Sequence, residues 1–190
     1  GGASPYDDPV ELAFLDAFAS GVFVATSAGN DGPTANTVNH VGGWLMSTAA
    51  STDKKIYLSK VKLAAADGAK LKAVGASLTP GIKTPTSFVL GAAFGDPTCE
   101  GSTADGAFTG QIVGCFRGGS GRARKSYNVA QRGAVGMLLF NAAGQPSQAG
   151  LFTDNHTVPS VQLEAADGLA IEAFAAAHAG IVASFTQGKL

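Results

Sequence analysis

The N-terminal region combines one helical and two strand-like hydrophobic patterns. Apolar side chains recur at helical spacing from Pro9 to Ala19, and Asp8 precedes this stretch as a helix cap. After a short turn, the apolar run from Val22 to Ala25 predicts a buried strand, and Gly43 to Ser51 predicts another. A helix joined directly to a buried strand is half of a parallel α/β unit. We therefore predict a partial parallel α/β segment here.

The pattern changes near Thr52 to strict alternation. Apolar side chains alternate with lysines over Tyr57 to Leu63 and over Leu71 to Ala73, with a turn at Asp67-Gly68, which predicts a hairpin with one wet face. That face carries Lys60, Lys62, Lys70 and Lys72. We interpret it as a solvated strand face rather than a nucleic-acid site, because no aromatic side chains interleave with the lysines. The prolines and glycine of residues 79–85 predict a linker.

The second half alternates strands and helices, which predicts two parallel crossovers and, with the hairpin, a mixed α+β fold within the α/β class. The predicted strands are Phe88–Leu90, Gln111–Phe116, Ala134–Phe140, Ser160–Leu163 and Ile181–Phe185. One helix begins after Ser120, its expected cap, and ends at Arg132. The other runs from Ala165 to Ala177, and its expected inward residues are Leu169, Ala170, Phe174 and Ala177.

The composition is poor in charge. Charged residues are 14% of the chain, against roughly 25% in an average domain, and the 26 glycines indicate a turn-rich protein of extracellular type. A net charge of -1 gives no general attraction for nucleic acid or for an anionic membrane, and we exclude both as partners. No run approaches the roughly 18 apolar residues of a membrane span.

Two cysteines, Cys99 and Cys115, enclose a loop of fifteen residues. In an oxidising compartment a disulfide between them would stabilise the fold by about 3 kcal/mol. Two buried free thiols are the alternative.

The strand that ends at Ala25 is followed by a turn with candidate chemistry. Gly29 and Gly32 can adopt positive φ, and Pro33 prevents re-entry into a sheet. Asn30 is thereby held at the carboxyl end of a strand, where open α/β sheets place their ligand sites. A carboxamide there can donate hydrogen bonds to a developing oxyanion. The alternative is that Asn30 only shapes the turn.

The run from Thr26 to Pro33 resembles the block that carries the oxyanion-hole asparagine in subtilisin-like serine peptidases, the subtilases. The resemblance extends to Tyr6–Pro9 before it, and to Thr37, Val38, Asn39 and Trp44 after it. It implies that Asn30 is the catalytic oxyanion donor. It also implies that Ser27, Ala28 and Gly29 wall the pocket for the substrate residue before the scissile bond.

A second resemblance covers roughly Phe88 to Phe185. Its motifs are Gly110–Gly118, Lys125–Gly133, Gly136–Asn141 and Val158–Val161, which are similar to the protease-associated (PA) domain. This implies a β-rich open barrel or sheet with flanking helices, inserted between the oxyanion-asparagine segment and the nucleophile. In its hosts such a domain mediates protein contacts or restricts substrate access.

The resemblances together divide the chain into a catalytic-domain fragment at 1–55, a hairpin and linker at 56–87, and a PA domain at 88–190. The Asp-Ser-Gly or Asp-Thr-Gly, His-Gly-Thr and Gly-Thr-Ser-Met-Ala blocks that carry the subtilase triad are absent from the sequence. We expect a slice of a secreted endopeptidase, inactive alone. The alternative is a non-catalytic protein-binding module. Unpaired strand edges favour a homodimer of the isolated slice.

No cofactor or metal is expected. His156 and His178 have no partners at metal-ligand spacing, and we interpret both as surface residues. His40 is interpreted as a surface or packing residue, because no serine or carboxylate stands at a recognisable catalytic spacing from it. The glycine turn at 118–121 lacks the P-loop lysine and the dinucleotide-binding spacing, so phosphate binding is not expected.

Overall fold

The structure, a computed structural model, describes residues 4–32, 34–51, 56–145 and 150–190. The chain forms two compact units, Gly1–Lys54 and Lys55–Leu190. We call them the N-terminal unit and the barrel unit, and describe each by itself.

The N-terminal unit contains helix α1 (Pro9–Ala19) and two short parallel strands, β1 (Ala25–Ser27) and β2 (Met46–Thr48). The helix prediction is confirmed, and the Asp8 side chain accepts hydrogen bonds from the backbone amides of residues 10 and 11. Both strands are shorter than predicted. Val22 and Phe23 lie outside β1 and are exposed, because the backbone pairing with β2 begins only at the Val24 carbonyl.

The barrel unit contains seven strands that close into a ring in the order β3-β4-β8-β7-β6-β5-β9. They are β3 (Leu58–Ala64), β4 (Lys70–Ala76), β5 (Ile82–Leu90), β6 (Ile112–Phe116), β7 (Gly136–Phe140), β8 (Ser160–Leu163) and β9 (Val182–Phe185). The strands β5 to β8 are mutually parallel, and β3, β4 and β9 complete the ring with antiparallel pairs. The expected β-rich barrel or sheet is therefore a barrel, closed rather than open.

Two connections differ from the sequence prediction. The segment at 79–85, expected to be a linker, includes the start of β5, and Thr79 Oγ1 accepts a hydrogen bond from the Ser160 backbone amide at 2.8 Å. The predicted hairpin is correct, but its two strands belong to the barrel.

The last strand, β9, is not a parallel neighbour of β8. It lies between β3 and β5, antiparallel to both, because the hairpin offers β3 as a free edge.

Helix α2 (Arg122–Gln131) follows β6, and helix α3 (Ala165–Ala177) follows β8. Ser120 does not cap α2. The N-cap is Gly121, and the Ser120 amide donates to the Glu100 carboxylate. The inward residues of α3 are Gly168, Ile171 and Phe174, rather than the predicted set of Leu169, Ala170, Phe174 and Ala177.

The first and last parts of the barrel unit are paired through their backbones. The backbone amide of Leu58 donates to the Lys189 carbonyl at 2.8 Å, and the amide of Lys189 donates back to the Leu58 carbonyl at 3.0 Å. The interior of the ring is filled by apolar side chains, and the fully buried ones include Phe140, Leu63, Ile112, Leu138, Leu163 and Ile171.

Candidate functional site

Asn30 lies three residues beyond the end of β1, on the carboxyl side of the parallel pair, and is exposed. Ser27 is the last residue of β1 and is also exposed. Ala28 continues the pairing, because its amide donates to the Thr48 carbonyl at 3.1 Å and its carbonyl accepts from the Asn39 amide at 3.1 Å. The backbone that leads to Asn30 is therefore fixed on both sides, whereas the Asn30 side chain faces solvent.

Gly29 makes the turn possible. It adopts φ +89°, and a Cβ built on it would lie 2.4 Å from Nδ2 of Asn39. The left-handed backbone favours glycine here, and a larger residue would also have to displace the Asn39 side chain. Gly32, by contrast, does not adopt positive φ, and Pro33 lies outside the described residues.

The same unit contains a buried carboxylate that the sequence analysis did not find. Glu11, on α1, is 3% exposed, and its Oε1 lies 3.1 Å from Nδ1 of His40 and accepts from the Val41 amide at 3.3 Å. Its backbone carbonyl accepts from the Trp44 indole at 2.9 Å. The available signal was a charged residue on the apolar stripe of α1. His40 therefore has a carboxylate partner that pins the segment after the turn.

Ser47 does not complete a catalytic arrangement with this pair. Its hydroxyl donates to the backbone carbonyl of His40 and not to the ring. Since a nucleophile must contact its base, the Glu11, His40 and Ser47 side chains form a structural support for the loop rather than a triad.

In the barrel unit, polar side chains stand directly after three neighbouring parallel strands. Arg117 follows β6, Asn141 follows β7 and Glu164 follows β8. Arg117 donates to Asn141 Oδ1 at 3.0 Å, and Asn141 Nδ2 donates to Glu164 Oε2 at 2.9 Å. Gln162 Nε2 donates to Asn141 Oδ1 at 2.7 Å. These hydrogen bonds form one network that links the ends of the three strands.

Two arginines hold the loop that contains Phe152 and Asp154 over these strand ends. The guanidinium groups of Arg117 and Arg122 lie 5.8 and 4.6 Å from the centre of the Phe152 ring. Arg122 also donates to both carboxylate oxygens of Asp154, at 2.5 and 3.0 Å, which holds the pKa of Asp154 below its usual range. His156 in the same loop is half-buried rather than on the surface as expected, and this burial lowers the pKa of its ring. These contacts position the loop.

The structure joins Cys99 and Cys115 in a disulfide, and both residues are buried. Beside it, the fully buried Lys125 donates to the carbonyls of Thr98 and Gly118, at 2.5 and 2.6 Å, and to the Glu100 carboxylate. Burial opposes ionisation of Glu100, but the hydrogen bonds from Lys125 and Ser120 hold the pKa of Glu100 below its usual range. The Glu100 carboxylate thus accepts a hydrogen bond from the Ser120 amide, a backbone donor of the 118–121 turn that would otherwise be available to an external anion.

Metal-ligating groups do not converge within the described parts of the chain: no cluster of three or more His, Cys, Asp or Glu side chains is positioned to hold an ion there. His178 Nδ1 lies 2.7 Å from Asp67 Oδ2, at the hairpin turn. None of the helices in the described ranges is long and apolar enough to cross a membrane.

Comparison with known proteins agrees with both resemblances. Residues 82–171 match the PA domain family. The chain is 32% identical over 189 residues to subtilisin-like protease SBT1.6 of Arabidopsis thaliana, and the alignment covers 95% of this chain and 24% of that protease. It is 33% identical over 172 residues to SBT1.5 of the same plant, covering 86% of this chain and 22% of that protease.

Among solved structures, the subtilisin-like protease Apa1 from Pseudoalteromonas sp. AS-11 aligns over 99% of this chain and 52% of its own, with a TM-score of 0.43 and 15% identity. The chain spans about a quarter of the length of the Arabidopsis relatives named above. It belongs to the subtilisin-like protease family and corresponds to a portion of such a protease that contains a PA domain.

Proposed function

We propose that this chain is part of a secreted subtilisin-like serine endopeptidase, in which Asn30 donates a hydrogen bond to the oxyanion formed at the scissile carbonyl. The observation that supports this most is the exposed carboxamide three residues beyond a parallel strand, on a backbone fixed by the Ala28 hydrogen bonds. Such a donor stabilises the transition state more than the bound substrate.

Ser27, Ala28 and Gly29 form the wall of the substrate pocket in this proposal. The exposed Ser27 ends the strand, and Gly29, at φ +89°, allows the backbone to turn there. The Asp, His and Ser of the triad would come from parts of the protease that this sequence does not contain. The isolated chain is therefore expected to show no peptidase activity and no labelling by a fluorophosphonate.

The test is Asn30→Leu in the full-length protease. Loss of one oxyanion donor costs about 2.7–4 kcal/mol, a value established on subtilisin itself and taken over here, so kcat should fall about 100- to 1000-fold with KM nearly unchanged. Thr34→Leu, an exposed position in the same loop, is the matched control and should leave kcat unchanged. An Asn30→Leu enzyme with the turnover of the parent would exclude the role.

A second candidate function is a PA-type protein-binding module with no part in the chemistry. It is favoured by the barrel unit, which has its own core and contains the PA match. Titration of labelled unfolded peptides against the chain tests it, and a lack of binding at millimolar concentration would count against it. The two functions are compatible within an active protease.

The domain boundary and the compartment are further parts of the proposal. We place the boundary near residue 55, so that the 56–87 segment joins 88–190 in one domain, since β3 and β4 lie within the closed ring. A segment of 56–190 should fold cooperatively, whereas 88–190 should not. Secretion is supported by the buried disulfide, which persists in an oxidising compartment. Export of the tagged protease into the culture medium tests it.

The isolated chain is also proposed to form a homodimer through the N-terminal unit. Its described sheet has only two short strands, and Val22 and Phe23 expose 54% and 72% of their surface. Light scattering should give twice the chain mass for residues 1–190 and the monomer mass for 56–190.

A further inference from the structure

Five lysines share the outer face of the barrel where the hairpin meets β5 and β9. We call this surface the lysine face; its lysines are Lys60 and Lys62 on β3, Lys70 and Lys72 on β4, and Lys83 on β5. All five are exposed. The set is larger than the four lysines found by alternation in the sequence, because ring closure brings β5 close to β3.

Among the described residues, the positive charge of this face has no carboxylate partner. Lys62 and Lys72 stand directly opposite each other in the antiparallel ladder, an arrangement that destabilises a sheet. Residues 56–94 contain a single acidic side chain, Asp67, and that carboxylate is paired with His178. Across the described parts of the chain, no carboxylate lies within ion-pair distance of any of the five lysines.

The lysines border two adjoining cavities. The larger, about 350 Å³, is lined by Lys62, Lys70 and Lys72 together with the small or apolar side chains of Ala64, Pro85 and Val182. The smaller, about 170 Å³, is lined by Lys60, Lys62 and Lys83. Lys62 and Ser184 line both cavities, so the two adjoin, and we call them together the groove. A groove with cationic borders and a partly apolar lining suits a ligand that combines negative charge with carbon surface.

The spacing of the charges favours an extended chain. Lysines two residues apart on one strand stand about 6.7 Å apart, and the next strand lies about 4.8 Å away. An extended peptide with Asp or Glu at every second position presents carboxylates at the same repeat of about 6.7 Å. Nucleic acid is a poorer fit, because the one aromatic side chain that lines either cavity, Phe185, is buried and gives no stacking surface.

We propose that the lysine face is a docking groove for an extended acidic protein segment with carboxylates at alternate positions. The inference rests on the proposal that the PA-type unit contacts proteins, and it adds the chemistry of the partner. The Lys62–Lys72 pair lowers the stability of the free protein, because the two like charges stand opposite each other. The binding role accounts for the presence of this unfavourable pair.

The test is fluorescence anisotropy with the whole chain and a labelled twelve-residue peptide of alternating Glu and Thr, in low salt. Binding is expected to weaken at least tenfold between 20 and 300 mM NaCl and at least tenfold in the K62E/K72E variant. The matched control for charge is R124E, which changes the net charge as much as K62E at an exposed position on helix α2, outside the lining of both cavities, and should bind within twofold of the parent.

Single-residue variants separate binding from folding. K62E removes the like-charge opposition, so its thermal midpoint should rise by about 1–4 °C while peptide affinity falls. A purely structural surface would not show these opposite changes. A peptide with the same composition but its Glu residues clustered should bind several-fold more weakly than the alternating peptide.

The proposal is overturned if the alternating Glu peptide binds no better than an alternating Lys peptide, or if K62E/K72E binds as the parent does. It is equally overturned if single-stranded RNA, polygalacturonate or phosphatidylserine vesicles bind more tightly than the peptide. These assays do not depend on Asn30 or on peptidase activity. Binding of neutral unfolded peptides with no preference for Glu would support the protein-binding module and refute only the acidic groove.

Discussion

Asp96 is a buried carboxylate that holds together the loop around Cys99. It is 4% exposed, and its two oxygens accept hydrogen bonds from the backbone amides of Glu100, Gly101 and Ser102, at 2.8, 2.9 and 3.1 Å. Burial opposes its ionisation, but the three amides outweigh this and hold its pKa below the usual range. The charged form is therefore the form that the fold stabilises.

The perturbation is Asp96→Asn, which keeps the size and removes the charge. One carboxamide oxygen replaces two carboxylate oxygens, and the new NH₂ group faces amides that are themselves donors. Hydrogen bonds to a charged group contribute about 1.5–3 kcal/mol each and are not additive, so we expect a loss of about 2–4 kcal/mol in unfolding free energy at pH 7.

The assay is urea unfolding followed by far-UV circular dichroism, at pH 7 and at pH 3. Because the folded pKa of Asp96 is depressed, its contribution is present above the unfolded pKa of about 3.9 and is lost as pH falls through the folded value. The gap between parent and Asp96→Asn should therefore narrow at low pH. Asp105→Asn, at an exposed position in the same loop, is the control and should unfold close to the parent. Equal midpoints for Asp96→Asn and Asp105→Asn, or a gap independent of pH, would refute the reasoning.

Two further predictions concern covalent and backbone constraints. Replacing Cys99 and Cys115 together by Ala should cost about 3 kcal/mol of unfolding free energy and abolish the effect of reductant on the urea midpoint; a reductant-sensitive midpoint in the double variant would contradict this. Gly29→Ala should destabilise the N-terminal unit more than Gly21→Ala, because both adopt positive φ but only Gly29 is covered by Asn39. Trp44, the single tryptophan, reports this by fluorescence, and equal losses for the two variants would show that the covering side chain moves aside.

Elements with local signals were predicted well. Helix α1 has a cap, a proline at its first position and an apolar stripe, and its bounds agree with the structure. The linker predicted at 79–85 was wrong because its two prolines and its glycine were interpreted as a break between elements. The pairing of β5 with β9 shifts register between Ile82 and Thr86, so Pro85 falls in an irregular stretch where a missing amide costs little.

Contacts between residues that are distant in the sequence could not be predicted from it. Glu11 and His40 lie 29 residues apart, and no local pattern links them. The inward face of α3 was shifted because it uses a glycine: a Cβ on Gly168 would lie 2.6 Å from Cβ of Phe140, so helix and barrel approach too closely for a larger residue. The block around Asn30 was recognisable because it is contiguous.

The pairing of the Leu58 and Lys189 backbones determines how far apart the two ends of the barrel unit lie. Its chain enters and leaves through neighbouring strands, about 4.8 Å apart. A host fold that receives the unit within one surface loop therefore needs to open that loop by a single strand spacing, without moving the elements on either side. Deletion of the unit between Leu58 and Lys189 would then leave the two ends of the host chain about one strand spacing apart.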